Sequence, residues 1–234
     1  MKNVKAVFID IDNTLLDFDA YVKETMREGF KEFGFIEYDE WMFEVFTREN
    51  DKFWRMIENK ELTLEELKKI RWNTIFKQLG IEYNGEEFET YFRAKLNDSA
   101  ILIDGARELL QYLHAKYIVC AASNGPYKQQ VKRLEIAGIR EYVDYAFISE
   151  DVGASKPSER FFDICLERLN ENREDKITPD ECIMIGDSIT SDIVGGINAK
   201  MHTILYERGN GKNKGLSVKA EYTVTELNAI REIL

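Results

Sequence analysis

Two aspartates, Asp10 and Asp12, directly follow the apolar run Val7-Phe8-Ile9 near the start of the chain. An apolar, β-branched and aromatic run of this kind predicts a buried strand. Residues two apart share one face of a regular strand, so both carboxylates are expected at its C-terminal end. Because like charges repel, such a pair needs a shared proton, a cation or water. Taken alone, the same stretch is also compatible with a solvated acidic turn.

Polar side chains follow four predicted strands, at the point where each strand ends. The carboxyl ends of parallel strands lie along one edge of a sheet, which is where ligands bind in open α/β folds. We therefore expect these groups to converge. They are Asp10, Asp12 and Thr14 after the first strand, Ser123 and Asn124 after the second, Lys156 after the third, and Asp187 after the fourth, with Asp192 in the following helix.

The residue types in this set suit phosphoryl chemistry. Carboxylates with little histidine make an all-oxygen site that fits Mg²⁺ better than zinc. A divalent ion held by Asp10 and Asp187 would remove the repulsion between a carboxylate nucleophile and a phosphate. Asp10 could then attack phosphorus, while Asp12 protonates the leaving oxygen and later activates water. Ser123 and Lys156 would hold the other phosphoryl oxygens, although Ser123 could merely cap a turn and Lys156 could be a surface lysine.

The elements that must position these residues alternate between strands and helices from residue 104 onward. This rhythm predicts an α/β protein with a parallel sheet covered on both faces. Residues 17–96 instead show helical periodicity throughout, including a capping box at Thr63–Glu66 and a helix end at Gly80. Most of the aromatic residues there are expected to form a helical core. We predict a core domain of residues 1–16 and 97–234, with 17–96 inserted as a helical cap.

Composition limits the classes of partner. The chain has 234 residues and a net charge of −11, with 43 acidic against 32 basic side chains. Such a balance lacks the positive field that nucleic acid or an anionic membrane requires, but it permits a small anionic substrate. Three widely spaced cysteines show no zinc-binding spacing. No apolar run resembles a signal peptide or a membrane span, so a cytoplasmic protein is expected, as a monomer or homodimer.

Four motifs together resemble the haloacid dehalogenase-like hydrolase superfamily. They are Asp10-Ile11-Asp12-Asn13-Thr14, Ser123-Asn124-Gly125, Lys156-Pro157, and Gly186-Asp187-Ser188 through Asp192. They occur in the family's order across nearly the whole chain, and residues 17–96 resemble its C1-type cap. The resemblance implies a Rossmann-like core, Mg²⁺ and phosphoaspartate catalysis. It also implies that the backbone carbonyl of Asp12 binds the metal and that Asp192 supports Lys156 or a metal-bound water.

Further phrases are similar to the pyrimidine nucleotidase branch, whose members dephosphorylate nucleoside monophosphates. They include Ile148 to Pro157 and Ser191 to Ala199. The chain has Ser123 where Thr is commoner and Asn13 where many relatives have Gly or Glu. Three alternatives remain open: a haloacid dehalogenase, a sugar-phosphate phosphatase or phosphomutase, and an inactive binding protein. A dehalogenase needs neither metal nor a second aspartate, so Asp12 and Asp187 count against it.

Overall fold

The computed structural model describes residues 3–209, 213 and 215–234. The chain divides into two compact units. The first runs from the N-terminus to Asp17 and resumes at Ala100 to continue to Leu234, and the second is Phe18–Ser99. We call the first the sheet unit and the second the helical unit. Each has a core of its own and is described separately.

The sheet unit contains six parallel strands in the order β3-β2-β1-β4-β5-β6. This is the parallel α/β sheet that the alternation of strands and helices predicts, and the Rossmann-like core that the family resemblance implies. The last strand is short and forms one edge of the sheet, as the sequence Tyr222-Thr223-Val224 predicts. The strands are β1 (Ala6–Ile9), β2 (Ile118–Ser123), β3 (Tyr145–Ile148), β4 (Cys182–Gly186), β5 (His202–Tyr206) and β6 (Tyr222–Val224).

The register of the central strand explains why the polar strand ends meet. Ile9, the last residue of β1, pairs with Ala121 of β2 on one side and Ile185 of β4 on the other. The C-terminal ends of these three strands are therefore nearly level. Because β1 lies between β2 and β4, the residue that follows it stands at the middle of the edge where ligands bind in such sheets.

Alternating side chains of β1 enter two different hydrophobic cores. Val7 and Ile9 belong to the core on one face of the sheet, whereas Ala6 and Phe8 belong to the core on the other. The Phe8 ring stacks on Phe147 with a centroid distance of 5.8 Å. All four β1 residues are fully buried, as expected for a strand covered by helices on both faces, and burial of a side chain the size of Phe8 contributes about 1.5–3 kcal/mol.

The remaining elements of the sheet unit connect and cover the strands. One π-helical turn, Ile189–Ile193, leads directly into a short α-helix where the sequence predicts a single helix. The predicted C-terminal helix is a 3₁₀ helix, Leu227–Glu232. The α-helices are α5 (Ala106–His114), α6 (Tyr127–Ile136), α7 (Ser149–Val152), α8 (Glu159–Asn170) and α9 (Val194–Asn198), with further 3₁₀ turns at Arg140–Tyr142 and Pro179–Glu181.

The helical unit is held by an aromatic core. Trp72 is fully buried, and its ring lies 4.6 Å from that of Phe88 and 5.4 Å from that of Phe46. This confirms the prediction that most of these aromatic residues form a core, although Trp41 is exposed. The capping box at Thr63 begins the third helix and the left-handed Gly80 ends it, as predicted. The four helices are α1 (Phe18–Glu32), α2 (Glu40–Glu58), α3 (Leu64–Leu79) and α4 (Gly85–Asn97).

Hydropathy sets one further bound on the described part of the chain. In it, no helix combines the length and the apolar character that crossing a membrane requires.

Candidate active site

The ammonium group of Lys156 lies at the centre of the polar cluster. Its Nζ donates hydrogen bonds to Oδ1 of Asp10, Oδ1 of Asp192 and the carbonyl oxygen of Ala122, each at 2.6 Å. The side chain is only 1% exposed. The interpretation of Lys156 as a surface lysine is therefore wrong. A lysine buried this deeply requires anionic partners, and the structure supplies two.

Burial and charge act in opposite directions on these groups. Burial alone would lower the pKa of Lys156, but the attraction of Asp10 and Asp192 outweighs it and raises the pKa above its ordinary value. Burial raises the pKa of Asp10 to about 8. Lys156 opposes that increase, while the neighbouring carboxylates of Asp192 and Asp187 add to it. The ionised form of Asp10 is therefore disfavoured at this buried position, and a cation beside it would stabilise that form.

Three buried carboxylates form a group that fits a hard cation. Asp10, Asp187 and Asp192 each offer an oxygen, and these oxygens lie within 4.8 Å of one another. Oxygen-only donors of this charge suit Mg²⁺. Asp12, also predicted as a ligand, has its carboxylate outside this group. That is compatible with the expected ligand, which is its backbone carbonyl.

Asp192 reaches Lys156 because the strand before it ends in glycine. A Cβ atom on Gly186 would lie 2.2 Å from Oδ2 of Asp192 and 2.4 Å from its Cγ. Oδ2 also accepts a hydrogen bond from the backbone N–H of Ser188 at 3.0 Å. The π-helical turn that starts at Ile189 thus brings a carboxylate back against the strand end, where no side chain larger than hydrogen fits.

The turn that contains Asp187 is held by a residue the sequence did not identify. Nδ2 of Asn213 donates to the carbonyl oxygen of Asp187 at 2.8 Å, and its Oδ1 accepts from the N–H of Ile189 at 3.1 Å. We predict from the sequence a solvated loop at 212–214, but Asn213 is buried, so for this residue the prediction is wrong. Lys212 and Lys214 lie outside the described residues, as do 210 and 211.

Asn124 links the ends of β2 and the Lys156 loop. Its Nδ2 donates to the carbonyl oxygen of Lys156, and its Oδ1 accepts from the N–H of the same residue, both at 2.9 Å. This reciprocal pair fixes the backbone that carries the central lysine. The structure thus gives the Asn124 amide a bracing contact, and a direct contact with phosphate stays a prediction.

Asp12 and Ser123 are joined through two residues of α6 that sequence reasoning missed. Arg133 donates to Oδ1 of Asp12 at 2.6 Å, and Nε2 of Gln130 donates to Oδ2 at 2.7 Å. The same Nε2 lies 2.7 Å from Oγ of Ser123. The available signal was spacing, since Gln130 and Arg133 are three apart and share a helix face with the buried Leu134. Ser123 also caps a turn, because its Oγ accepts from the N–H of Gly125 at 3.2 Å.

The turn after Asp12 has an unusual backbone. Asn13 has φ of +62°, a conformation that Asn tolerates better than most residues. Its Oδ1 accepts a hydrogen bond from Arg208 at 2.9 Å, and the same guanidinium contacts Asp17 at 2.6 Å. Thr14 is fully buried, and within the described part of the chain its hydroxyl has no hydrogen-bond partner.

Fold and site together define a class of protein: an α/β enzyme with an acidic, lysine-centred site at the C-terminal edge of a parallel sheet. A sequence profile described as haloacid dehalogenase-like hydrolase matches residues 4–200. The chain belongs to this family, as the motif resemblance predicts.

Similar proteins include two that are named pyrimidine 5'-nucleotidases and one with a solved structure. Pyrimidine 5'-nucleotidase PynA of Streptococcus pneumoniae is 31% identical over 203 residues, covering 86% of this chain and 83% of PynA. Pyrimidine 5'-nucleotidase YjjG of Escherichia coli is 27% identical, covering 97% and 96%. The crystal structure of the putative HAD-hydrolase YfnB of Bacillus subtilis, described as bound to magnesium, has 27% identity and a TM-score of 0.86, covering 100% and 99%. The chain is therefore a phosphoric monoester hydrolase with nucleotidase relatives.

Proposed function

We propose that this protein is a Mg²⁺-dependent phosphatase that hydrolyses a nucleoside monophosphate through a phosphoaspartate on Asp10. One observation carries the proposal: at the end of the central strand, Asp10 contacts a buried lysine and lies close to two further buried carboxylates. Such a carboxylate already contacts one cation, and together with its neighbouring carboxylates it could also bind a divalent ion. The phosphatase relatives support the same conclusion.

The residues that would hold Mg²⁺ are Asp10 and Asp187 through their carboxylates and Asp12 through its backbone carbonyl. A bound Mg²⁺ would neutralise part of the charge on substrate phosphate and lower the barrier to attack by an anion. Asp192 would act mainly by holding Lys156, whose Nζ it contacts at 2.6 Å. Lys156, Ser123 and Asn124 would then bind phosphoryl oxygens, and Thr14 would support the turn that follows the two aspartates.

The reaction then proceeds in two displacements. In the first, a carboxylate oxygen of Asp10 bonds to phosphorus while the ester P–O bond breaks, and the leaving oxygen takes the electron pair and a proton from Asp12. In the second, the Asp12 carboxylate takes a proton from water as the water oxygen bonds to phosphorus. The Asp10–phosphorus bond breaks, its electron pair returns to Asp10, and inorganic phosphate leaves. Asp12 ends protonated, as it began.

The nucleotide part of the proposal rests on relatives and on sequence phrases. Two similar proteins are named pyrimidine 5'-nucleotidases. We further propose that the helical segment, residues 17–96, serves as the cap that selects the substrate, as in C1-type members of the family. A sugar phosphate remains the nearest alternative substrate.

A substrate panel tests the proposal. Phosphate release would be measured from pyrimidine and purine nucleoside monophosphates, sugar phosphates and an aryl phosphate, with Mg²⁺ or with EDTA. Asp10→Asn serves as the blank, because it keeps the size of the side chain but removes the nucleophile. We expect release that requires Mg²⁺ and is highest with a nucleotide. Release unaffected by EDTA, or chloride freed from a 2-haloacid without phosphatase activity, would contradict the proposal.

A further inference from the structure

Two residues of α6 contact the Asp12 carboxylate, and the role proposed for them rests on the proposed function. We propose that Gln130 and Arg133 are positioning residues that hold the Asp12 carboxylate in line for its two proton transfers and couple it to Ser123. Neither residue touches the reacting atoms in this scheme. They act through Asp12, which the proposed mechanism uses twice.

On the side that faces α6, both oxygens of the Asp12 carboxylate accept a hydrogen bond. Arg133 donates to Oδ1 at 2.6 Å and Gln130 donates to Oδ2 at 2.7 Å, so each carboxylate oxygen has one donor from α6. Arg133 also donates to Oε1 of Gln130 at 2.9 Å, which fixes the orientation of the amide. Two fixed donors leave the Asp12 carboxylate little freedom to rotate.

Burial shows that this arrangement is built into the molecule. Gln130 and Arg133 are each 1% exposed, whereas Asp12 is only partly buried, with a side chain 34% exposed. The buried donors thus hold a carboxylate that is itself partly exposed. Gly125 provides a second observation for a built arrangement, because a Cβ atom there would lie 2.7 Å from Nε2 of Gln130. The Ser123-Asn124-Gly125 turn therefore leaves space specifically where the amide passes.

The same amide links two groups with different tasks. Nε2 of Gln130 lies 2.7 Å from Oδ2 of Asp12 and 2.7 Å from Oγ of Ser123. In the proposed mechanism one of these groups moves protons and the other binds phosphate. A shift of the amide would misplace both, so Gln130 sets the distance between the proton-transfer group and the phosphoryl site.

The choice of leaving group distinguishes a misplaced Asp12 carboxylate from a general loss of active-site structure. An aryl phosphate with an acidic phenol needs little protonation of its leaving oxygen, so phosphorylation of Asp10 tolerates a misplaced Asp12. An alkyl phosphomonoester such as a nucleoside monophosphate needs the proton. Hydrolysis of the phosphoaspartate requires Asp12 as base with either substrate. A misplaced Asp12 should therefore give slow alkyl turnover and, with the aryl substrate, a rapid first turnover followed by slow release.

The experiment compares Gln130→Met and Arg133→Met with wild type in the presence of Mg²⁺. For both variants we expect kcat on a nucleoside monophosphate to fall about 10–100-fold with a small change in KM, and p-nitrophenyl phosphate to give a burst of one nitrophenolate per enzyme. Arg133→Lys should recover part of the loss. In an Asp12→Asn background Arg133→Met should not reduce kcat further, because Arg133 acts through Asp12, whereas Gln130→Met should keep the part of its effect that passes through Ser123.

A matched control perturbs the same helix away from the site. Arg107 contacts the carbonyl oxygen of Ala137 at 2.6 Å, just past the end of α6, so Arg107→Met should show neither the burst nor the substrate dependence. Equal loss on both substrates without a burst, or unchanged kcat, would overturn the inference. If Arg133→Met does not fold, Gln130→Met, which removes no charge, decides the question alone. A wild-type enzyme without phosphatase activity would instead refute the proposed function itself.

Discussion

At the scale of single residues, the charge on Lys156 determines what the site can hold. Its ammonium group contacts two buried carboxylates, and without it these would face each other in a medium of low polarity. A third buried carboxylate, that of Asp187, offers an oxygen within 4.8 Å of those of Asp10 and Asp192. The three oxygens together could hold a divalent cation.

Replacing Lys156 by methionine should be costly. The substitution keeps most of the side-chain volume but leaves Asp10 and Asp192 without their cation, so we expect a loss of about 3 kcal/mol in the free energy of unfolding and no turnover. Urea unfolding in EDTA measures this. Lys5 is a matched control because it also contacts two carboxylates, those of Asp175 and Glu181, but in an exposed position. Lys5→Met should change stability little, and an equal effect of the two substitutions would contradict the account.

Gly186 is expected to tolerate no side chain. A Cβ atom would lie 2.2 Å from Oδ2 of Asp192, and the buried backbone around it cannot easily move. We expect Gly186→Ala to lower the free energy of unfolding by about 1–3 kcal/mol and to reduce kcat. In an Asp192→Gly background the same substitution should cost less stability, because the clashing Oδ2, Cγ and Cβ atoms are all absent. An undiminished cost there would show that the strain lies elsewhere.

At the scale of elements, the strands were more predictable than the helices that surround the site. Asp10 and Asp187 follow apolar strands, so parallel pairing alone predicts that they meet. Gln130 and Arg133 resemble the ordinary polar face of an amphipathic helix in sequence, and their burial depends on how α6 packs on the sheet. The pairing of Asn213 with the turn after β4 depends on a long-range loop contact that periodicity does not encode.

The helical unit contains one buried ion pair that should be important to its stability. Arg71 of α3 donates to both oxygens of Glu89 of α4, at 3.0 and 2.6 Å, and also contacts Asn50 at 3.3 Å. Both partners of the ion pair are nearly fully buried. The pair therefore joins three helices through polar contacts inside an otherwise aromatic core.

Replacing only Arg71 should lower the free energy of unfolding more than replacing both partners of the ion pair. Arg71→Met leaves the Glu89 carboxylate buried without a cation, and we expect a loss of about 3–5 kcal/mol in thermal or urea unfolding. The double substitution Arg71→Met with Glu89→Leu should recover most of that loss, since no charge is then left buried. If the double variant is no more stable than Arg71→Met, the pair contributes mainly through packing.

At the scale of the whole molecule, Mg²⁺ should affect stability in a pH-dependent way. Burial raises the pKa of Asp10 to about 8 in the metal-free protein, well above the value for an unfolded chain. The folded state then holds the extra proton, so the contribution of Asp10 to stability is greatest at low pH and falls as pH rises from about 4 to 8. Mg²⁺ replaces that proton as the partner of the carboxylate.

We therefore expect Mg²⁺ to raise Tm more at pH 8 than at pH 6, by a few degrees at saturating metal. Thermal unfolding with Mg²⁺ or EDTA at both pH values provides the measurement. Asp10→Asn is the control, because it cannot ionise and should lose the difference between the two pH values. A Tm that Mg²⁺ leaves unchanged at either pH would argue against a metal site at Asp10.

The most direct test of the central claim is to trap the phosphorylated enzyme. Wild type and Asp10→Asn would be mixed with p-nitrophenyl phosphate and Mg²⁺, quenched in acid during turnover, and analysed by peptide mass spectrometry. The account predicts one phosphoryl group on the peptide that contains Asp10 in wild type, more of it in Asp12→Asn, and none in Asp10→Asn. Continued phosphate release by Asp10→Asn, or phosphorylation of a different residue, would contradict it.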